Sequence, residues 1–313
     1  MRLAILGATS HIAKDLVQSF AAQSTHELVL YARCPNVVTQ WLNRIGFAER
    51  YAVADFAAFT TDEHFDGILN FVGVGDPAQA AAMGAAIFDV TFKYDELALN
   101  YVRKNPDCRY IFLSSGAAYG VNFDEPVDEN TKAVIAINNP QLQDWYAVAK
   151  LHAECRHRAM ANLPIIDLRV FNYFSHTQDI EARFLITDIL RAVRDKTSLQ
   201  TSPENIVRDY IHPDDFFQLV NMVLAAPLAN MALDCYSKEP IDKNTLLSSM
   251  QHHYDLKYKT EKKSSKNMTI GIKRNYYSLR KSTYLIGYSP IFTSLEGLIH
   301  EAGKMMSLWC KNK

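Results

Sequence analysis

Met1-Arg-Leu-Ala-Ile-Leu-Gly7-Ala-Thr-Ser-His-Ile-Ala13 opens the chain and decides how the rest of it is read. Arg2 to Leu6 is a short apolar run that ends at Gly7. From His11 to Ala22 the apolar residues Ile12, Leu16, Val17 and Phe20 then recur at helical spacing. Strand, tight turn and helix in that order begin a βαβ unit, the building block of a parallel sheet.

The turn between them sits at a helix N-terminus, where unpaired backbone N–H groups and the helix dipole favour a phosphate. Gly7, Thr9, Ser10, His11 and Ile12 are therefore the candidates to meet a dinucleotide pyrophosphate. A Gly-x-x-Gly-x-x-Gly loop would place glycine at 10 and 13, but this chain has Ser10 and Ala13. Both are small enough for close backbone approach, and Thr9 or Ser10 adds a hydroxyl donor. Read alone, the loop is equally an ordinary βα turn.

Working outward, Glu27 to Tyr31 is the second strand, followed by Ala32-Arg33. In dinucleotide folds an acid about here bonds the ribose 2′-hydroxyl of NAD, whereas an arginine accommodates the 2′-phosphate of NADP. No acid follows this strand, so Arg33 reads as a preference for NADP, with NAD the other possibility and a plain exposed arginine the bland reading. Tyr51 to Phe56 ends a third strand at Asp55, which with Phe56 is placed to meet the adenine ring. Asp66 to Gly75 is a buried strand whose carboxyl end, at Val72, should line the nucleotide crevice. A mainly helical stretch from Ala78 to Lys104 follows, with Gly84 a break. Tyr110 to Leu113 is the next strand and delivers Ser114-Ser115-Gly116 to the same crevice; as a bare pair, two serines there are as often turn formers.

Composition narrows the function. At 313 residues, with 48% hydrophobic and 21% charged content, the chain can bury a full core. A net charge of −1 provides no overall basic field for nucleic acid or an anionic membrane. The N-terminus lacks a signal-peptide core, and no apolar run approaches the roughly 20 residues of a membrane helix. The cysteines at 34, 108, 155, 235 and 310 are far apart and odd in number, which suits reduced thiols in the cytoplasm and gives neither a disulfide framework nor a zinc site. Adjacent His252 and His253 are a weak metal pair. The expected partner is a small molecule.

Trp145-Tyr146-Ala147-Val148-Ala149-Lys150 places a phenol and an ammonium four residues apart, on one face of a helix. A nearby cation lowers a phenol pKa by roughly one to three units, which makes Tyr146 a usable acid or base. The spacing alone proves little, because Tyr258/Lys262 and Tyr277/Lys281 share it. Tyr258 lies in a charged run that reads as solvated surface, and no helical pattern surrounds Tyr277.

Four stretches occur in one order along the chain: Ser114-Ser-Gly-Ala-Ala-Tyr119-Gly120, Tyr146-x-x-x-Lys150, Leu168-Arg-Val-Phe-Asn172 and Arg208-Asp-Tyr-Ile-His-Pro-Asp-Asp215. Together they resemble the extended short-chain dehydrogenase/reductase (NAD-dependent epimerase/dehydratase) family, in its nucleotide-sugar-modifying branch. The resemblance implies Ser115 as the catalytic serine, Tyr146 as the general acid/base, and Lys150 as the residue that holds the nicotinamide ribose and lowers the tyrosine pKa. It also places Ser115, Gly116 and Asn172 near the substrate and Arg208 on its diphosphate. His212 and Asp215 are expected to anchor that last segment.

The same resemblance separates reactions. Family 4,6-dehydratases carry Thr-Asp-Glu where this chain has Ser115-Gly116-Ala117, so elimination has no acid/base pair here. The leading expectation is NADPH-dependent reduction of a keto group on a nucleotide-linked sugar, in particular a 4-keto-6-deoxyhexose for surface polysaccharide. A nucleotide-sugar epimerase with tightly bound NAD is the second. A non-catalytic NAD(P)-binding regulator or scaffold is the rival from another class, weakened because Ser115, Tyr146 and Lys150 are all present.

The expected architecture is α/β: a doubly wound parallel sheet (Rossmann) over residues 1–172 plus about 206–232. A smaller C-terminal substrate lobe takes 173–205 and 233–313. The lysine-rich stretch Leu256 to Lys281 reads as solvated lobe surface. A homodimer is a further expectation from the resemblance.

Overall fold

In the computed structural model, which describes residues 1–75, 77–142, 144–261 and 273–311, the first half runs β1 (Arg2–Leu6), α1 (His11–Gln23), β2 (Glu27–Tyr31), α2 (Pro35–Arg44), β3 (Ala52–Ala54), β4 (Gly67–Asn70), α3 (Pro77–Met83), α4 (Ala86–Lys104), β5 (Arg109–Ser115), α5 (Asp144–Ala159) and β6 (Ile165–Val170). The second half continues with β7 (Asn172–Tyr173), α6 (Leu185–Arg194), β8 (Ser198–Thr201), β9 (Val207–Arg208), β10 (Tyr210–Ile211), α7 (Pro213–Ala225), β11 (Met231–Asp234), β12 (Ile241–Asp242), α8 (Lys243–Tyr254), β13 (Lys257–Thr260), β14 (Asn275–Tyr276) and α9 (Ser294–Lys311).

Seven parallel strands form the main sheet in the order β11-β6-β5-β4-β1-β2-β3. Strand order reverses between β1 and β4, so the fold is a doubly wound α/β sheet and its ligand crevice lies beyond the carboxyl ends of those strands. The strands are nearly continuous apolar runs because helices cover both faces. One apolar layer joins α1 and α7 to the sheet through Leu16, Phe20, Phe216 and Val220; the other packs Leu99, Val102 and Ala153 of α4 and α5 on the opposite face.

Gly7 shows why the first turn is built as it is. Its φ is +83°, in the left-handed region, and a Cβ there would lie 2.8 Å from the Val72 nitrogen. The Ala78–Lys104 stretch breaks where expected: Gly84 turns at φ +55° between α3 and α4. Pro213 stands at the first position of α7, as its fixed φ favours.

A separate apolar cluster of Ile186, Ile189, Leu190, Leu246, Met250, Leu298 and Ala302 unites α6, α8 and α9, with Leu199 of β8 at its margin. Helix α6 begins at Leu185 and not at Ile180, because the Phe184 N–H turns onto the Thr187 hydroxyl at 3.1 Å and starts the helix there. Tyr258 lies in β13, paired with β8 and packed against this cluster, so it shares no helical face with position 262. Lys262, Lys263 and Lys266 of the lysine-rich stretch lie outside the described residues.

Two buried polar networks fix α5 to the sheet. His157 lies between Asp167 (2.6 Å) and Asp95 (2.8 Å), all fully buried. Nearer the crevice, Glu154 accepts Ser114 Oγ at 2.5 Å and the Arg169 guanidinium, which also reaches Asp234. Asp234 in turn accepts Tyr119 at 2.9 Å and Ser278 at 2.5 Å. Buried charges persist only when paired in this way.

Candidate active site

Strand β5 runs two residues further than its apolar core predicts, through Ser115, because β6 pairs with it as far as Ser115↔Val170. That register delivers Ser115 at the carboxyl edge, where its hydroxyl accepts the Ala117 N–H at 3.2 Å and caps a short 3-10 turn over 116–119. Gly116 follows because nothing larger fits: a Cβ would lie 2.4 Å from the ring of Phe171.

The i, i+4 geometry of α5 puts Tyr146 and Lys150 on one face, next to Ser115. Burial raises the Tyr146 phenol above its ordinary pKa, and a hydrogen bond with Ser115 pulls in the opposite direction. Lys150 shares this face and is anchored on the neighbouring strand. The ammonium donates to the Leu113 carbonyl at 2.7 Å and stands 4.4 Å from the Phe112 ring, while the Tyr146 ring is 5.9 Å away. Burial itself brings Lys150 down to about 8, against Glu154, Asp167 and Asp95, which act to raise it. Gly73, just past β4, leaves open the space beside this ammonium; a Cβ there would come within 3.7 Å of Nζ.

The first loop is compatible with a dinucleotide. Gly7 and Ala8 give their N–H groups to the Tyr31 carbonyl, which pins the turn at the sheet edge, and the first N–H groups of α1 have no partner within the helix. Thr9 is exposed, and Ser10, the N-cap, makes no side-chain cap bond. Ala13 is fully buried, so the third glycine position is a packing position here. His11 points elsewhere: its Nε2 meets Ser175 Oγ at 2.7 Å and Asp15 at 3.2 Å, and burial lowers its pKa. Ile12 packs on the core. Arg33 is exposed past β2 and makes no ion pair among the described residues.

Asp55 caps the turn at 56–58 by accepting the Ala57 and Ala58 N–H groups, and the Phe56 ring lies 4.4 Å from that of Tyr94. Val72 closes on Gly7. The Asn172 side-chain amide donates to the Asp209 carbonyl at 3.0 Å and so holds the segment that carries Arg208.

Arg208 lies in β9, between β12 and β14. Beside it stands Lys273, which the sequence reading left on a solvated surface. Burial, with the neighbouring Arg208 acting in the same direction, brings this lysine down to about 8. Among the described residues no carboxylate forms an ion pair with either cation. Lys273 Nζ is 4.4 Å and the Arg208 guanidinium 5.9 Å from the ring of Tyr276. The Tyr276 hydroxyl lies 3.1 Å from Ser115 Oγ. Lys273 and Tyr276 were missed because their stretch is polar and no periodicity marks it; two tyrosines beside a Lys-Arg pair were the only signal.

His212 and Asp215 tie α7 to the C-terminal segment: Asp215 accepts the Ile291 and Phe292 N–H groups at 2.6 and 3.1 Å. His212, His300 and Glu301 bring three ligand-type atoms within 4.8 Å of one another. However, His212 Nδ1 accepts the Asp214 N–H, so the neutral ring carries its proton on Nε2, and Lys304 occupies Glu301 at 2.8 Å. That set is a structural clasp. No described helix is long and apolar enough to cross a membrane.

The model of the NAD dependent epimerase/dehydratase family matches residues 3–233. No curated protein sequence matches the chain. Solved structures share its fold at low identity. The UDP-glucose 4-epimerase of Stenotrophomonas maltophila, determined with NAD and formylated UDP-arabinopyranose, is 16% identical at a TM-score of 0.81, over 100% of both chains. The UDP-N-acetylglucosamine 4-epimerase of Methanobrevibacter ruminantium, in complex with UDP-N-acetylmuramic acid, is 14% identical at 0.80, over 100% of this chain and 99% of that one. The dTDP-glucose 4,6-dehydratase of Bacillus anthracis, in complex with NAD, is 15% identical at 0.76, over 98% of this chain and 97% of that one.

Proposed function

Because the chain belongs to the NAD dependent epimerase/dehydratase family, we propose that it is an NADPH-dependent reductase of a keto group on a nucleotide-linked sugar. One observation carries this reading: a hydroxyl pair, Ser115 and Tyr146, is joined through Tyr276 to two cations, Arg208 and Lys273, that no described carboxylate neutralises. Guanidinium and ammonium groups in that condition suit a diphosphate, which would hold the sugar at the hydroxyls.

The nicotinamide supplies the hydride when bound. The protein does the rest. Ser115 donates a hydrogen bond to the reacting oxygen, and Tyr146 gives that oxygen its proton as the carbonyl becomes an alcohol. Lys150, fixed on the Leu113 carbonyl, offers its remaining N–H groups to the cofactor ribose. Arg33, exposed just past β2 with no acid beside it in sequence, supports NADP, because an arginine at the end of this strand accommodates a 2′-phosphate.

A second reading, a nucleotide-sugar 4-epimerase with tightly held NAD, is favoured by the epimerases among the similar structures, one of them with NAD bound. The experiment is to denature purified protein, identify any released nicotinamide, and measure NADPH and NADH binding to the emptied protein. Exchangeable NADPH, bound more tightly than NADH and consumed with a keto sugar nucleotide, is the expected result. Retained NAD without net oxidation establishes the epimerase, and absence of binding by either removes both.

A further inference from the structure

Tyr276 reaches Ser115 from β14, 161 residues later in the chain, and the chemistry above gives it no task. Both side chains are more than nine-tenths buried. A serine hydroxyl has one proton to donate and two lone pairs to offer. One lone pair of Ser115 takes the Ala117 N–H. The same N–H also leans on the Tyr276 oxygen, and either hydroxyl can donate across the 3.1 Å contact; with the Ser115 proton turned to Tyr146, the phenol proton fills it.

We propose that Tyr276 is a positioning residue for the catalytic serine: its phenol donates to Ser115 Oγ, fills the second lone pair, and turns the one Ser115 proton toward Tyr146 and the reacting sugar oxygen. With both acceptor sites filled, Ser115 can donate in one direction only, and the chain of three hydroxyls polarises its last member. No bond is made or broken at Tyr276. The proton that accompanies hydride transfer passes between Tyr146 and the sugar oxygen. Burial holds the Tyr276 phenol protonated throughout neutral pH, as a constant donor requires. Its ring meanwhile packs under Lys273 and Arg208, so one side chain joins the anion-binding cations to the reacting hydroxyls.

This inference rests on the reductase or epimerase reading, which use the same hydroxyls. The test is Tyr276→Phe, which deletes the donor and keeps the ring under the two cations. Loss of one hydrogen bond that acts in the transition state predicts a kcat about tenfold lower, with KM for sugar nucleotide and cofactor within about twofold. The Tyr146 titration, read as phenolate absorbance relative to Tyr146→Phe, should move to higher pH because Ser115 donates to Tyr146 less well. In a Ser115→Ala background the Tyr276 substitution should change kcat no further.

Unchanged kcat with an unmoved Tyr146 titration overturns the proposal, and so does a loss confined to KM. The titration needs no sugar. A wild-type protein that turns over no nucleotide sugar therefore removes the proposed function while Tyr276 is still judged by the titration. If Tyr276→Phe does not fold, Tyr276→His, which keeps a ring donor, replaces it and is expected to retain more of the wild-type kcat than Tyr276→Leu; equal loss in both overturns the positioning role.

Discussion

A Cβ on Gly116 would stand 2.4 Å from Cδ1 of Phe171, and that ring in turn packs within 5.1 Å of Tyr276. The residue after Ser115 is therefore fixed by a ring on the neighbouring strand's exit. Gly116→Ala should destabilise the protein by about 1–3 kcal/mol, the usual cost of forcing extra volume into a packed site. Urea midpoints would check this, with Phe171→Leu in the same chain recovering part of the loss. It also explains why an acid, as a dehydratase would need here, has no room.

Tyr146→Phe is expected to lower turnover by about 10²- to 10⁴-fold, the range for a positioned proton donor, with the cofactor dissociation constant nearly unchanged. Single-turnover and equilibrium-binding measurements separate the two. Near wild-type turnover would return Tyr146 to a packing role.

Lys150 should impose a pH dependence on cofactor binding. Burial brings its ammonium to about 8. Its charge is present below that pH and lost above it, so affinity should weaken as pH rises through about 8. Lys150→Met should bind more weakly at neutral pH and lose that slope, which fluorescence titration from pH 6.5 to 9.5 can read.

How much of this was legible in the sequence depends on distance along the chain. The first turn could be read because strand, glycine and helix are consecutive, and Gly84 because a break within one apolar pattern is local. Ser115, Tyr146 and Lys150 were placed by motif. Lys273 and Tyr276 were not, because β14 is two residues long and exists through its pairing with β9. The Lys150 tether was missed for a related reason: a backbone carbonyl on another strand leaves no trace in residue identity.

His157 offers a stability test. Burial alone would lower its pKa, but Asp167 and Asp95 prevail and raise it from 6.5 to about 9. A raised histidine stabilises the fold fully below its unfolded pKa, and that stability is lost as pH rises through the folded value. Unfolding free energy should thus fall by up to about 3 kcal/mol between pH 6.5 and 9 on this account. Lys150 acts in the opposite sense above pH 8, so the measurement is the difference in denaturant midpoint between the parent and His157→Gln, which should flatten the slope.

Arg208→Ala and Lys273→Met should each raise KM for a nucleotide sugar by roughly tenfold or more, the value of a hydrogen bond to a charged group. Nicotinamide cofactor binding should stay unchanged. A KM equal to wild type in both variants would take the diphosphate away from this pair.

The segment that closes against Ser115 is made late. Residues 1–170 contain the first loop, the Tyr146–Lys150 pair and the main sheet apart from β11, but Arg208, Lys273 and Tyr276 follow only after β7, α6 and β8. During synthesis, Ser115, Tyr146 and Lys150 therefore leave the ribosome well before the residue that closes on Ser115. Until residue 276 docks, the serine has no neighbour on that side.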